Sequence, residues 1–382
     1  MNSGVFYGDA ERVLKTLPPG IAQCCVTSPP YWGLRDYSVE GQFGLEKTID
    51  EYIERMVGVF KEVWRVLRGG GTVWLNLGDC YASTGNKSAD PRDRPELYGG
   101  GCRSWSLRDA TAHPKTAMGS LKPKDLCMIP ARVALALQAD GWWLRSDIIW
   151  SKPNPMPESC TDRPTTAHEH LFLLSKRPRY FYDADAIREA QTSKDNSENP
   201  NSRSGVSLPG YEGFAMKNRL WNPAGRNKRT VWEIATAPYP GAHFATFSPA
   251  LVEPCILAGT SPRACEICGA PWKRLTERKT MIVRNGPKSG GYGSRTTDSL
   301  SGTMLSPAQV KTTGWQPTCS CDNEGKGRCL VLDPFAGSGT TGEVALKHGR
   351  DYLLIELNRD YEKLIRGRLG LFYAEAEVAM VN

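Results

Sequence analysis

No stretch of this sequence approaches the ~20 consecutive apolar residues that a membrane-spanning helix requires. Its first nine residues hold neither the basic region nor the apolar stretch of a secretory leader. The expectation is a cytoplasmic protein with no membrane partner. Internal repeats are absent, which excludes solenoids and propellers. Histidine is scarce, and His113, His168 and His170 have no metal-ligand partners at suitable spacing. Neither charge dominates: 48 Lys and Arg against 41 Asp and Glu leave +7, which suits a polyanionic partner without demanding one. Twelve cysteines are too dispersed for the disulfide scaffold of a small secreted domain, but four fall in close pairs that suit a metal better.

What is present is the composition of a folded globular protein, 40% hydrophobic and 23% charged, too apolar for general disorder. A chain of 382 residues holds roughly two to three domain-sized units or one large α/β domain with insertions. Short apolar runs predict buried strands at 5–9, 21–27, 72–77, 142–150 and 168–175. Helical spacing of Ile49, Ile53, Met56, Val57, Phe60, Val63 and Val66 predicts a helix over 48–67, ended by Gly69, Gly70 and Gly71. Helices are also expected at 126–139 and 248–258. Residues 81–125 lack periodicity and are rich in Gly, Ser, Arg and Pro, so they read as a long loop. The stretch 190–230 is polar and rich in Asn, Ser and Arg, either a linker or an element contacting nucleic acid.

The C-terminal end is better defined. A buried strand runs into Asp333-Pro334-Phe335-Ala336-Gly337-Ser338-Gly339-Thr340-Thr341-Gly342, which opens a helix. Glycines there let the backbone turn tightly and approach a ligand, and the helix start offers unpaired amides. Glu356 ends the next strand about 20 residues on, where a carboxylate can accept both hydroxyls of a ribose. A nucleoside-containing cofactor is indicated. Gly337, Gly339 and Gly342 also fit the dinucleotide fingerprint, so a nicotinamide or flavin enzyme stays open on this motif alone. A P-loop is disfavoured, since no Lys follows the glycines.

The second motif, Ser28-Pro29-Pro30-Tyr31, follows the buried strand 21–27. A base amino group is a poor nucleophile because its lone pair is delocalised into the ring. Two acceptors that pull its N–H bonds out of plane would raise electron density on nitrogen. Ser28 Oγ and the Pro29 carbonyl supply such acceptors, Pro30 fixes the direction of the carbonyl, and Tyr31 offers a flat face to a base taken out of the duplex.

Together the two motifs resemble the amino-group DNA methyltransferases of the permuted β class, with the catalytic motif about 300 residues before the cofactor motif. Topology agrees: after Gly342 only forty residues remain, so N-terminal strands must complete the sheet. The resemblance implies an α/β fold, a doubly wound mixed sheet of the S-adenosylmethionine-dependent methyltransferase type, circularly permuted and carrying insertions. It implies S-adenosylmethionine as methyl donor, bound by Asp9, His243, Phe247, Asp333, Phe335, Gly337, Ser338, Gly339, Thr340 and Glu356. Ser28, Pro29, Pro30 and Tyr31 would act on a flipped base of double-stranded DNA. The segment 150–154 resembles the loop that precedes the target-recognition region in this family. The implied organisation is a catalytic half at 1–189, with the loop at 81–125 as a competing or additional DNA-contacting candidate, and a candidate target-recognition insertion at 190–230. A segment at 231–260 would close over the cofactor, a cysteine-rich insert occupies 261–328, and the cofactor-binding half spans 329–382. Serine in the first catalytic position resembles the cytosine-N4 members; adenine-N6 activity is the alternative, and a non-catalytic zinc-containing DNA binder is a further one. A homodimer and a partner nuclease from a restriction–modification pair are both compatible with the sequence.

Cys265-x-x-Cys268-Gly269 has the knuckle spacing of structural zinc, and Cys319-x-Cys321 supplies a second pair, with Cys329 as a substitute ligand. One tetrahedral Zn2+ is expected, pinning a loop that lacks its own core.

Overall fold

The structure is a computed structural model and describes residues 3–34, 37, 39–82, 121–189, 225–236, 247–278 and 310–376. His243, nearly all of the 81–125 loop and most of the 190–230 insertion lie outside the described residues.

The chain opens with β1 (Gly4–Tyr7) and α1 (Ala10–Thr16). Asp9 caps α1, its carboxylate accepting the Arg12 amide at 3.0 Å. In β2 (Ala22–Thr27) every residue is buried, as expected of a strand covered on both faces. Thr48 caps α2 (Ile49–Val66) by accepting the Glu51 amide, and one stripe of the helix is buried. The three glycines do not end this helix. Leu67 is its C-cap, and Gly69–Gly71 form the first half of β3 (Leu67–Leu77). They make room for neighbours: a Cβ on Gly71 would lie 3.0 Å from the Gln23 carbonyl, and one on Gly69 would lie 3.1 Å from the Arg177 guanidinium.

There follow α3 (Ile129–Ala139), β4 (Trp143–Ser151), β5 (His168–Ser175) and β6 (Val231–Glu233). Next come α4 (Pro249–Gly259), β7 (Lys273–Arg278), β8 (Val310–Gln316) and β9 (Leu330–Asp333). The chain closes with α5 (Thr340–Lys347), β10 (Asp351–Glu356) and α6 (Glu362–Leu369). Among the described residues no helix is long and apolar enough to cross a membrane.

Two compact units result. The first, residues 1–183, 229–272 and 317–382, holds one eight-stranded sheet in the order β1-β10-β9-β2-β3-β5-β4-β6. All neighbours are parallel except those of β5, which is antiparallel to both β3 and β4. α1, α2 and α3 pack together over one face, where Leu14, Met56, Phe60 and Val133 meet Val73, Leu75, Leu332 and Ile355. α4, α5 and α6 form a second packed row, with α4 against β2 and α5 against β9 and β10. This is the doubly wound mixed sheet expected, completed by strands from both ends of the chain. β6, too short to register in the sequence, extends the sheet by pairing with β4.

The second unit, residues 184–228 and 273–316, contains the antiparallel pair β7–β8 and a bridge between Glu189 and Arg226. The pair escaped sequence analysis because Lys273–Arg278 holds a single apolar residue, Leu275. Arg274 lies 4.6 Å from the centre of the Trp315 ring, a cation–π contact across the pair.

Candidate active site

In a doubly wound sheet the ligand cleft opens where strand order reverses, at the carboxyl ends of the strands. Here that point lies between β9 and β2, which pair in parallel through Cys24 with Val331 and Cys25 with Leu332. The residues leaving the two strands are those of the two motifs. Thr27 Oγ1 donates to Asp333 Oδ1 at 2.7 Å, and Thr341 Oγ1 donates to Asp333 Oδ2 at 2.7 Å. The Phe335 amide also donates to Asp333, at 3.1 Å. Burial pushes the Asp333 carboxyl up to about 6, against the pull of these donors.

Gly337 and Gly339 adopt φ of +53° and +83°, the left-handed region that favours glycine. The third glycine serves packing: a Cβ on Gly342 would come within 2.9 Å of Leu354. Glu356, ending β10, accepts the Gly337 amide on Oε2 at 2.7 Å and the Asn358 amide on Oε1 at 2.8 Å. Burial lifts its carboxyl to about 7. Ser338 and Thr340 are buried in the turn, and Phe335 meets Phe43 edge-on with ring centres 5.2 Å apart. β1 brings Asp9 to the same edge, since Tyr7 pairs with Glu356 and the Gly8 amide donates to the Glu356 carbonyl. One Asp9 oxygen is already engaged in capping α1. Phe247 is half-buried just ahead of α4. A glycine turn, a helix start, two carboxylates and an aromatic ring suit an adenosine-bearing sulfonium compound: Glu356 for the ribose and backbone amides for polar groups.

The second motif leaves β2 beside this turn. Tyr52 of α2 donates to the Pro30 carbonyl at 3.0 Å, and Trp32 Nε1 donates to the Glu46 carbonyl at 3.1 Å, fixing the loop. Among the described residues no donor reaches the Pro29 carbonyl. The Tyr31 ring rests on Gly78, where a Cβ would come 2.6 Å from Cε2. Its hydroxyl donates to Glu169 Oε2 at 2.7 Å, accepts from Asn76 Nδ2 at 2.6 Å and lies 3.2 Å from Ser28 Oγ. Lys152 forms an ion pair with the other oxygen of Glu169. Burial and the neighbouring Glu169 carboxylate push the Tyr31 phenol well above its usual range, keeping it protonated.

Asn76, Gly78, Lys152 and Glu169 are the members of this site that sequence analysis did not single out. Lys152 fell inside the 150–154 segment. Glu169 left one trace, an acid within a buried strand.

The cysteine pairs also converge. The sulfur atoms of Cys265, Cys268, Cys319 and Cys321 all lie within 4.8 Å of one another. The Cys268 amide points at Cys265 Sγ (3.4 Å), and Gly269, with φ +69°, donates to the Cys265 carbonyl at 2.7 Å. Cys329 is not part of this group; it is buried directly before β9. The knuckle is fastened to the sheet by Gln23 on the Gly269 carbonyl at 2.8 Å and by Arg68 on the Cys268 carbonyl.

This architecture has known counterparts. A family model described as DNA methylase, of the N6/N4 methyltransferases, matches residues 22–265 and 323–367. Over 365 residues the chain is 39% identical to the type II methyltransferase M.Cfr9I of Citrobacter freundii, spanning 96% of this chain and 87% of that protein. It is 37% identical to the type II methyltransferase M.SmaI of Serratia marcescens, spanning 96% and 90%. The solved PvuII DNA methyltransferase (cytosine-N4-specific) shares the fold, with a TM-score of 0.52 and 15% identity over 96% of this chain and 86% of that one. The chain therefore belongs to the N6/N4 DNA methylase family, as an S-adenosylmethionine-dependent methyltransferase acting on DNA.

Proposed function

We propose that this enzyme methylates the N4 amino group of cytosine at a specific site in double-stranded DNA, as the cytoplasmic modification partner of a restriction nuclease. The observation that carries the reading is the pair of acceptors at the end of β2: the uncharged Ser28 hydroxyl and a Pro29 carbonyl that no described donor reaches. They would hold the two N–H bonds of a flipped base while Tyr31 faces its ring. Bound S-adenosylmethionine supplies a methyl group activated by the sulfonium charge. Asp9, Phe335, Gly337, Ser338, Gly339, Thr340 and Glu356 would hold it, with His243 and Phe247 closing over its methionine end. Recognition of the DNA sequence falls to the insertion at 190–230.

The same reading includes a structural Zn2+ on Cys265, Cys268, Cys319 and Cys321. Four thiolates at bonds of about 2.3 Å leave no open position for catalysis. Amide donors aimed at sulfur, like that of Cys268, offset the charge such a set collects.

The test is incubation with unmethylated duplex DNA and methyl donor, followed by nucleoside mass spectrometry. N4-methylcytosine is expected, N6-methyladenine would reassign the base, and unmodified DNA would sink the proposal.

A further inference from the structure

We propose that Glu169 is the final acceptor of the proton that the target amino group gives up, reached through a one-way chain of two hydroxyls, Ser28 and then Tyr31. The inference rests on the amino-methyltransferase reading of the Ser28 site and deepens it by naming where the proton goes.

The direction of the chain follows from counting protons. An ionised carboxylate only accepts, so the 2.7 Å contact between Tyr31 Oη and Glu169 Oε2 takes the single phenolic proton. Asn76 Nδ2 donates to the same carboxylate oxygen at 2.6 Å and to Tyr31 Oη at 2.6 Å, so it cannot reverse the order. Tyr31 has no second proton to give, and in the 3.2 Å contact with Ser28 Oγ the serine must donate. That commits the only proton of Ser28. What Ser28 presents to a substrate amine is then lone pairs alone, the acceptor that the chemistry requires.

The far end of the chain is paired with a cation and can pass its proton on to solvent. Lys152 is paired with the second oxygen of Glu169, and the two side chains retain 19% and 15% of their exposure, enough to meet solvent. Asn76, by contrast, is buried at the end of β3 and holds Tyr31 and Glu169 in register.

The step balances. The amino lone pair forms the N–C bond as the donor's S–C bond breaks, leaving a neutral thioether and a positive nitrogen. That nitrogen's proton passes to Ser28 Oγ, the serine proton to Tyr31 Oη, and the tyrosine proton to Glu169 Oε2. Both hydroxyls end as they began, and one carboxylate has become a carboxylic acid. An exocyclic amino-nitrogen cation on the electron-poor ring of a base is a far stronger acid than a carboxylic acid, because its neutral form delocalises the lone pair into the ring, so the transfer runs downhill. A serine could not retain this proton itself. The chain therefore delivers it to a carboxylate on β5.

Single-turnover methylation of unmethylated genomic DNA tests the proposal, with cofactor affinity by calorimetry and the melting temperature read on the same samples. Glu169→Gln is expected to lower the rate by about 100-fold or more, with affinity and melting temperature unchanged. Glu169→Asp, which keeps the charge, should recover roughly a tenth of the wild-type rate or better. Tyr31→Phe should match Glu169→Gln, and the double variant should be no slower than either, because groups acting as one unit are not additive. A wild-type rate in Glu169→Gln, or a double variant slowed by the product of the single losses, would overturn the proton chain alone. If Glu169→Gln fails to fold, a wild-type rate in Tyr31→Phe has the same force. A wild-type enzyme that leaves DNA unmethylated would overturn the underlying reading as well.

Discussion

The Thr27 hydroxyl donates to the Asp333 carboxylate across 2.7 Å, linking residues 306 positions apart in the chain. Thr27 directly precedes Ser28, and Asp333 opens the glycine turn. One hydrogen bond thus links the proposed acceptors for a base to the proposed cradle for a cofactor. It is deeply buried and shares Asp333 with Thr341 and the Phe335 amide, so each donor offsets part of the cost of a carboxylate held out of water.

Replacing Thr27 with valine keeps the shape and removes the donor. Leaving Asp333 Oδ1 short of a partner should cost about 1–3 kcal/mol of stability, and cofactor affinity should fall as the carboxyl protonates more readily. Urea denaturation and calorimetry measure both. Unchanged stability and affinity in Thr27→Val would show that the sheet alone holds the two together.

The sequence exposed those parts of the site that are local in the chain. Ser28 to Tyr31 and Asp333 to Gly342 are marked by prolines and glycines whose backbone needs are readable one residue at a time. The permuted order was legible because the Ser28–Tyr31 motif precedes the Asp333–Gly342 motif in the chain. Glu169, Asn76 and Lys152 were not, since each is one polar residue on a separate strand or at its end, and only pairing of β3, β4 and β5 brings them to Tyr31. The glycines at 69–71 misled for a related reason: their task is the approach of Gln23 and Arg177, which only the tertiary structure supplies. The cysteine pairs could be read, but dismissal of Cys329 required seeing it buried just before β9.

Gly78 should be hard to replace beside the Ser28–Tyr31 loop. A Cβ there would lie 2.6 and 2.9 Å from two carbons of the Tyr31 ring, whose hydroxyl is tied down by Glu169 and Asn76. Since displacement of a reacting group by about an ångström costs on the order of 100-fold, Gly78→Ala should lose about that much methylation rate. Cofactor affinity, measured alongside, should be retained. Wild-type turnover in Gly78→Ala would mean that Tyr31 can shift without consequence.

The cysteine cluster should carry one zinc per chain, measurable by elemental analysis of protein purified under reducing conditions. Cys268→Ser and Cys321→Ser, at partly exposed positions, should each lose the metal. Removal by a chelator should lower the melting temperature by on the order of 5 °C, because the knuckle is tied to the sheet through Gln23 of β2 and Arg68 of β3. Metal-free protein with an unchanged melting temperature, and no uptake of added zinc, would leave four reduced thiols as the correct description.

Cofactor affinity should rise with pH and level off above neutrality. Burial holds the Glu356 carboxyl at about 7, against an ordinary value of 4.5, so below that point the folded enzyme keeps a proton there. Between the two values the unfolded chain has already lost that proton, and stability from this group falls as pH rises. Ribose hydroxyls are donors and bind the ionised carboxylate better than the protonated one, so binding must expel the proton. Affinity therefore increases up to about pH 7 and flattens beyond it, with Asp333, held at about 6, steepening the acid side. Calorimetry in buffers of different ionisation enthalpy would register the released proton. Glu356→Gln should weaken binding and flatten the upper part of the profile, while a wild-type profile already flat from about pH 5 to about pH 8 would remove Glu356 from contact with the ribose.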